Sequence, residues 1–493
     1  MSSLRRKTIS GVVWTGMAKM SMQFVLFIVM AILARLLSKD DFGIVAMAAL
    51  ITVAIAMVND KGLGMSIIQK KELSQSHLST MFWASVIFGA ILYLLSFGLS
   101  FPLALYFRKD IVQPVAAIIA LGFVIGGFGI VQKSLLTREM AFKKLALVEM
   151  SATLCSGLLA ILMALFGCGV WSLVANALAR DLITILVLWI ICKWRPHVHF
   201  SIAELKEFIG FSGNVLANDG AIYLITNVDV AIVGRMLGSV SLGVYSLALW
   251  VVKLPVTRLS SIVAKVVFPA FSSLQHDMEK FKAGYLKAIK FISLITFPIL
   301  AGLAVFPREF IFVVPGEKWL DMTWPLIILT PMAMLKSVGT IKSSVLMAVG
   351  RPDIELKWNL IYLVPLTAVV YVGTHYGLVG VASGFTALYV LTFPIIQQIT
   401  NKQIGVTAHE FYYALHTSLL AGSVMVVVGI AARYVLKVVF TLPDLVVLLA
   451  GIGAAAAAYL FVLWKIDRTV LLELYGMFLR NKGYAKAKVA VSE

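Results

Sequence analysis

The chain has 493 residues, 60% of them hydrophobic and 13% charged, whereas soluble chains are about 45 to 50% apolar and about 25% charged. This composition excludes a soluble globular fold. The formal net charge of +18 is explained by basic loops at a membrane face, so no nucleic-acid partner is expected. Cys155, Cys168 and Cys192 lie in or beside apolar stretches without metal-ligand spacing, so they predict packing rather than a metal site or cofactor.

Apolar runs of about 18 to 25 residues recur along the sequence, each long enough to cross a hydrocarbon core about 30 Å thick as a helix. They lack the alternation of barrel strands, so an all-α membrane protein is predicted. The first run continues to about Ala34, which is too long for a signal-peptide core of about 7 to 15 residues, so it is predicted to be a retained span. In chain order, the fourteen predicted spans are 11–34, 42–58, 78–100, 111–131, 145–166, 170–192, 212–235, 243–268, 286–306, 324–348, 358–376, 377–397, 415–433 and 445–464.

Charge in the loops predicts the orientation of these spans. If the amino terminus is cytoplasmic, most loop Lys and Arg fall on the inside, for example Lys133 and Arg138 in one loop and Lys280 and Lys282 in another. Adding or losing one span would destroy this bias, because every later loop would change side. The bias therefore favours fourteen spans with both termini in the cytoplasm.

The sequence also contains an internal repeat. Residues 31–49 align without gaps on residues 231–249, and six of the nineteen positions are identical. In each copy an arginine ends an odd-numbered span and a glycine, Gly43 or Gly243, opens the next. Because the copies are six spans apart, both run in the same direction through the membrane, as in a parallel repeat.

This repeat predicts the domain organisation. Two six-helix lobes are expected, residues 1–205 and 206–400, with a substrate pathway between them. Residues 401–493 then supply two additional spans and a basic cytoplasmic tail.

Five segments in fixed order carry a family resemblance: RLLSKDDFG (35–43), DKGLGMSIIQKKELS (60–74), NVDVAIVGRMLGSVSLGVYSLAL (227–249), VFPAFSSL (267–274) and PGEKW (315–319). Together they resemble the bacterial polysaccharide exporters of the multidrug/oligosaccharidyl-lipid/polysaccharide flippase superfamily, and most closely the colanic acid exporter branch. Pro315 departs from the pattern, which has an aromatic residue before the glycine. The departure bears on the shape of one loop.

The resemblance implies a MATE-like fold whose two lobes enclose a cavity open alternately to either side. It also implies a cargo of undecaprenyl-diphosphate-linked oligosaccharide, such as an exopolysaccharide or O-antigen-type repeat unit, moved across the bacterial inner membrane. Expected partners are this lipid-linked cargo, membrane lipids, and the polysaccharide polymerase and export machinery.

Charged residues inside the predicted spans are the candidates for transport, because a charge at mid-bilayer costs a few kcal/mol and usually faces a cavity or a partner. A diphosphate brings about two negative charges that Arg and Lys can compensate. Arg180, Lys253 and Lys336 lie nearest the middle of their spans and are the first candidates for substrate binding. The further candidates are Lys19, Arg258 and Lys342. For each cation, an internal ion pair or a water-filled packing defect is the alternative interpretation.

The carboxylates in the spans are candidates for carrying a coupling proton or Na⁺, and the sequence gives no basis for ranking them. They are Asp219, Asp229, Asp181 and Glu149. Lys19 and Asp219 occupy equivalent positions in the repeat, and we consider the hypothesis that they meet in one conformation.

Three functional classes compete. An exporter needs charge inside a cavity and no catalytic constellation, and it agrees best with the sequence. A membrane glycosyltransferase or polymerase would need a sizeable outer loop, whereas the longest, 307–323, is short, so an enzyme is not predicted. A multidrug cation antiporter of the same superfamily would favour carboxylates over the observed Lys and Arg. The sugar repeat, the energy source and the oligomeric state are left open.

Overall fold

The computed structural model describes residues 21–60, 67–68, 73–206, 213–273 and 277–468, with the backbone alone for 58–60, 205–206, 213–219, 221 and 258–273. Most of the described residues are helical, as the apolar runs predict. By internal packing the chain divides into two units, Met1–Ser246 and Leu247–Glu493.

The first unit contains ten helices in its described residues, the last of which continues into the second unit. They are α1 (Ser21–Leu36), α2 (Lys39–Asp60), α3 (Gln75–Phe107), α4 (Val112–Ile119), α5 (Leu121–Gly127), α6 (Ile130–Arg138), α7 (Phe142–Leu165), α8 (Val170–Ile191), α9 (Ile202–Lys206) and α10 (Gly213–Ser273). Helix α7 packs along α8, and α3 packs against α2, α4 and α5.

The second unit continues with eight more helices in the part of the chain that is described. They are α11 (Met278–Val305), α12 (Pro307–Val313), α13 (Thr323–Gly339), α14 (Ile341–Ala348), α15 (Pro352–Thr374), α16 (Gly377–Lys402), α17 (Ala408–Tyr434) and α18 (Asp444–Ile466). A 3₁₀ turn at Glu317–Met322 precedes α13, and a π turn at Val435–Val439 follows α17.

The described residues contain eleven helical stretches long and apolar enough to cross a membrane, or twelve if the bent pair Val112–Gly127 and Ile130–Arg138 forms one span. The chain is therefore a multi-pass membrane protein. Part of the predicted first span lies outside the described residues, so the number fourteen stays a prediction. The two six-helix lobes also stay a prediction, since the packing boundary at residue 246 lies inside α10.

Helix α10 is broken at Gly238. Its φ of +80° and ψ of 177° lie in a region that residues with a Cβ atom rarely adopt. The break separates the two stretches that the sequence predicts as the spans 212–235 and 243–268. The two predicted spans are therefore joined through the break at Gly238 without a separate loop.

The two copies of the repeat meet directly within the first unit. A Cβ atom at Gly43 would lie 1.8 Å from the carbonyl oxygen of Ser239, and one at Gly243 would lie 1.9 Å from that of Lys39. Residues 39 and 239 are equivalent in the repeat, as are 43 and 243, so the contact is reciprocal. The absence of a side chain at both glycines lets the two backbones touch.

The last two described helices pack on α11 in the second unit. The hydroxyls of Ser293 and Ser418 form a buried hydrogen bond of 2.7 Å between α11 and α17. Tyr459 of α18 donates from its hydroxyl to the carbonyl oxygen of Leu294, at 2.8 Å. Buried bonds of this kind are costly to break without replacement, so α17 and α18 are fixed parts of this unit.

Candidate substrate-binding and ion-coupling residues

Lys342 forms an ion pair inside the second unit. Its Nζ atom lies 3.7 Å from Oε1 of Glu355, and the two side chains are 16% and 12% exposed. The hydroxyl of Ser343 donates to the same Oε1 atom, at 2.5 Å. Helices α14 and α15 thus bring together a cation, its counter-ion and a neutral donor. At 3.7 Å the ammonium group is beyond hydrogen-bond distance of this carboxylate oxygen.

Arg180 and Asp181 lie in the middle of α8, within the first unit. Arg180 is half-buried, and its carbonyl oxygen accepts a 2.7 Å hydrogen bond from Thr184. Asp181 lies against Gly122 of α5, where a Cβ atom would be 2.7 Å from its Oδ2 atom. The positive charges that act on Asp181 are those of Arg180 and Lys133. This candidate cation therefore has a carboxylate beside it.

Lys253 and Lys336 are half-buried in α10 and α13, respectively. Lys253 forms no ion pair with any carboxylate that the structure describes. Thr257 donates to its carbonyl oxygen at 3.0 Å, as an ordinary helical side-chain contact. Lys253 thus differs from Lys342, whose charge is compensated within the protein.

Asp229 is buried in the first half of α10, with 2% of its surface exposed. The hydroxyl of Tyr245 donates to its Oδ2 atom at 2.9 Å, and the backbone N–H of Val230 donates to Oδ1 at 2.9 Å. No ion pair of Asp229 is found among the residues that the structure describes. Neutral donors therefore hold this carboxylate among the residues that the structure describes.

The other candidates are placed less completely. Glu149 is half-buried in α7. Arg258 and Asp219 lie in α10, and their side chains are outside the described part. Lys19 precedes the described residues, so the hypothesis that it meets Asp219 stays a prediction.

A charged cluster that the sequence did not single out lies where the two repeat copies meet. Lys109, just after α3, donates from Nζ to Asp40 of α2 and to the hydroxyl of Ser239 in α10, the latter at 2.6 Å. The Ser239 hydroxyl itself donates to Asp40. In the same region Arg235 donates to the carbonyl oxygen of Tyr106 and lies 5.6 Å from the centre of its ring.

A second cluster joins the segment after α8 to the start of α3. Glu204 accepts hydrogen bonds from the hydroxyls of Ser76 and Thr80, which lower its pKa below the usual range. The indole of Trp83 donates to the carbonyl oxygen of His197 at 3.0 Å. The segment of residues 192–206, which we call the linker, is thereby docked on α3.

Sequence reasoning missed Glu355, although its partner Lys342 was selected. Glu355 is the fourth residue of α15, close to Arg351 and Asp353, so the local sequence indicates a solvent-exposed helix start. The structure buries it because the turn at Gly350 folds α15 back on α14. The available signal was helical spacing, since Glu355 and the buried Tyr362 share one face.

Comparison with protein families gives a match to one described as "Polysaccharide biosynthesis protein", over residues 32–324. The matched region begins in α1 and ends in α13.

Several characterised proteins are similar over most of their length. A lipopolysaccharide biosynthesis protein of Escherichia coli (strain K12), WzxC, is 29% identical, covering 88% of this chain and 89% of that protein. A teichuronic acid biosynthesis protein of Bacillus subtilis (strain 168), TuaB, is 27% identical, covering 94% and 97%. A succinoglycan biosynthesis transport protein of Rhizobium meliloti (strain 1021), ExoT, is 27% identical, covering 68% and 71%.

Solved structures share the fold. A lipid II flippase, MurJ, in an inward closed conformation superposes with a TM-score of 0.71, at 15% identity, over 93% of this chain and all of that one. An inward-facing multidrug resistance transporter of the MATE family superposes with a TM-score of 0.56, at 17% identity, over 80% and 100%. The MATE-like fold that the sequence predicts is confirmed.

Proposed function

The chain belongs to the polysaccharide biosynthesis protein family, and on this premise we propose that it is a flippase for undecaprenyl-diphosphate-linked oligosaccharide, working by alternating access. The observation that carries the proposal is the family match over residues 32–324. Further support comes from relatives named for lipopolysaccharide and teichuronic acid biosynthesis and for succinoglycan transport. On this proposal the chain is a transporter and not an enzyme.

The chemistry of such a cargo accounts for cations in the spans. A lipid-linked diphosphate needs positive charge along its path, because bringing an uncompensated anion into a low-dielectric region is costly. Arg180, Lys253 and Lys336 are the proposed contacts, with Lys19 and Arg258 as further members of the set. Lys342 is a contact on condition that the diphosphate replaces Glu355 as its partner.

We assign the protein to the bacterial inner membrane, with both termini in the cytoplasm. Loop charge supports this orientation, since Lys and Arg concentrate in the loops that it places inside. It puts the turn between α1 and α2 on the outer side. The polymerase and export machinery that receive the flipped oligosaccharide are proposed partners.

Deletion of the gene in its native host tests the function. Completed oligosaccharide should accumulate on its lipid carrier at the cytoplasmic side, and surface polymer should be lost. Both effects should be reversed by a copy of the gene on a plasmid. Lipid-linked glycans would be separated by chromatography and identified by mass spectrometry, which also defines the sugar repeat.

The alternative is a multidrug cation antiporter. Unchanged lipid-linked glycans together with new sensitivity to cationic drugs would support that alternative and contradict a flippase. Loss of surface polymer without accumulation of completed oligosaccharide would instead indicate a role in its synthesis.

A further inference from the structure

Three residues at the meeting point of the repeat copies form one polar cluster, which we call the outer latch: Asp40, Lys109 and Ser239. Asp40 belongs to the first copy and Ser239 to the second, while Lys109 follows the end of α3. Lys109 donates to both of the others, and Ser239 donates to Asp40. Each member therefore contacts the other two.

The helices beneath the latch approach each other most closely at two glycines. Gly43 and Gly243 expose bare backbone to the other copy. Side chains packed into grooves resist separation, because the contacts of each side chain must be broken together. The two glycines bring no side chain of their own to this contact, and the outer latch adds polar bonds between the copies beside it.

The cluster is also partly open to its surroundings. The side chains of Lys109 and Asp40 are 30% and 37% exposed, so water can replace their bonds when they part. The bond between Ser293 and Ser418 in the second unit differs, because both side chains are fully buried. The outer latch can therefore open and close, whereas the Ser293–Ser418 bond fixes its two helices together.

The elements that carry the latch end or break beside it. Gly238 interrupts α10 immediately before Ser239, and a Cβ atom there would meet nothing within 4 Å. Arg108 takes a left-handed conformation, with φ of 54°, and ends α3 one residue before Lys109. Backbone rotation at these points can move Ser239 and Lys109 without unfolding a helix.

From this geometry we propose that the outer latch holds the two repeat copies together in the state closed to the outside, and that it must open in each transport cycle. The inference rests on the proposed function and orientation.

Reversible cross-linking tests the proposal. In a background with Cys155, Cys168 and Cys192 replaced by serine, Asp40→Cys and Ser239→Cys place two thiols at positions whose side chains touch. Oxidation of membranes should link them, as read by mass spectrometry of the joined peptides. Oxidation of intact cells should likewise lower surface polymer at least tenfold relative to the same variant kept reduced, and reduction should restore it.

The matched control is the pair Ser38→Cys and Asp41→Cys. Their side chains also touch, at 2.6 Å, but both belong to the first copy, so linking them leaves the copies free to part. Export should survive oxidation in this variant. If the Asp40–Ser239 link forms and export continues unchanged, the latch is overturned while the flippase function stands. The proposed function itself fails under a different result. In that case the cysteine-free parent complements the deletion, but neither the deletion strain nor the cross-linked strain accumulates lipid-linked oligosaccharide.

A second measurement needs no cross-link. Ser239 is 6% exposed, so a single cysteine there should react slowly with a membrane-impermeant thiol reagent added from outside. Lys109→Met removes the central donor and should raise that labelling rate several-fold. An unchanged rate would contradict a closure held by Lys109.

Discussion

At the scale of single residues, Gly43 and Gly243 leave the least room for a side chain among the described glycines. The atoms that a Cβ would meet are backbone atoms of the other repeat copy. They cannot turn aside as the end of a flexible side chain can. The whole helix would have to shift.

Gly43→Ala or Gly243→Ala should therefore lower the free energy of unfolding by about 2 kcal/mol or more, as overpacking does. Thermal unfolding of the purified protein in detergent measures the change. Gly98→Ala is the control, because a Cβ there meets nothing within 4 Å and alanine favours the helix. Equal unfolding temperatures for the Gly43 and Gly98 variants would contradict the close approach.

The Lys342–Glu355 pair separates a structural role from a role in cargo binding. Lys342→Gln leaves a buried carboxylate without its counter-ion and should cost of the order of 3 kcal/mol. The double variant Lys342→Gln with Glu355→Gln removes both charges and should recover most of that stability. If Lys342 contacts the diphosphate, export should stay low in the double variant.

Stability and export measured on the same membranes decide between these roles. Recovery of both in the double variant would show that the pair is structural. Glu355→Gln alone keeps Lys342 and removes the carboxylate that competes with the diphosphate for it. If Lys342 contacts the cargo, this variant should still export.

At the scale of elements, the linker is held on α3 by a titratable contact. The pKa of Glu204 is lowered chiefly by the hydroxyl of Ser76 and then by that of Thr80. A lowered carboxyl pKa means that the contact stabilises the docked linker above the unfolded pKa. This stabilisation is lost as the pH falls through the folded pKa.

Hydrogen exchange, corrected for intrinsic rates, should therefore show faster opening of residues 195–203 in strongly acidic solution than at pH 7. Glu204→Gln should open the same segment at pH 7 and abolish the acid effect. The amide of Ser201 is a direct reporter, because it donates to Thr80 at 3.2 Å. An acid effect that persists in Glu204→Gln would assign the titration to another group.

The sequence predicts much of the element order, because the length and apolarity of a run decide whether it spans the membrane. It does not predict how runs end. Helix α3 continues to Phe107, past the predicted end at residue 100, and the span predicted at 111–131 is divided before Ile130. Hydropathy averages over a window, whereas such ends depend on local backbone conformation, as at Arg108.

The contact partner of a residue is harder to predict from the sequence than its place in a span. Lys342 is a candidate because it lies in a predicted span; helical spacing places Glu355 on a buried face but does not indicate that this face meets Lys342. Likewise, Gly43 and Gly243 were identified as equivalent in the repeat, whereas their contact depends on tertiary packing. Patterns within one helix identify a face, and the neighbouring helix decides what that face meets.

At the scale of the whole molecule, the half-buried cations are the proposed contacts between the fold and its cargo. Arg180→Gln, Lys253→Gln or Lys336→Gln should each reduce export, by about tenfold if one charge-assisted hydrogen bond to phosphate is lost. Membrane insertion should be unaffected, because removing a charge makes a span more apolar. Surface polymer normalised to the amount of protein in the membrane measures the effect.

Lys357→Gln is the control for charge alone, because Lys357 is 74% exposed and lies 3.6 Å from Asp353 in the first turns of α15. It should export normally. Wild-type export in the Arg180, Lys253 and Lys336 variants would remove these residues from the proposed path, while leaving the family and fold in place.

The reciprocal glycine contact also limits which mutations the two repeat copies can accept. Each glycine contacts the main chain of the other copy. Substituting the residue that faces it changes only a side chain and so cannot make room for a larger residue. Genetic suppressors of Gly43→Ala should therefore be absent from the side chain at 239 and arise at positions whose replacement lets the backbone of either helix shift. Two positions that are equivalent in the repeat are thus each constrained by the other, and neither can change alone.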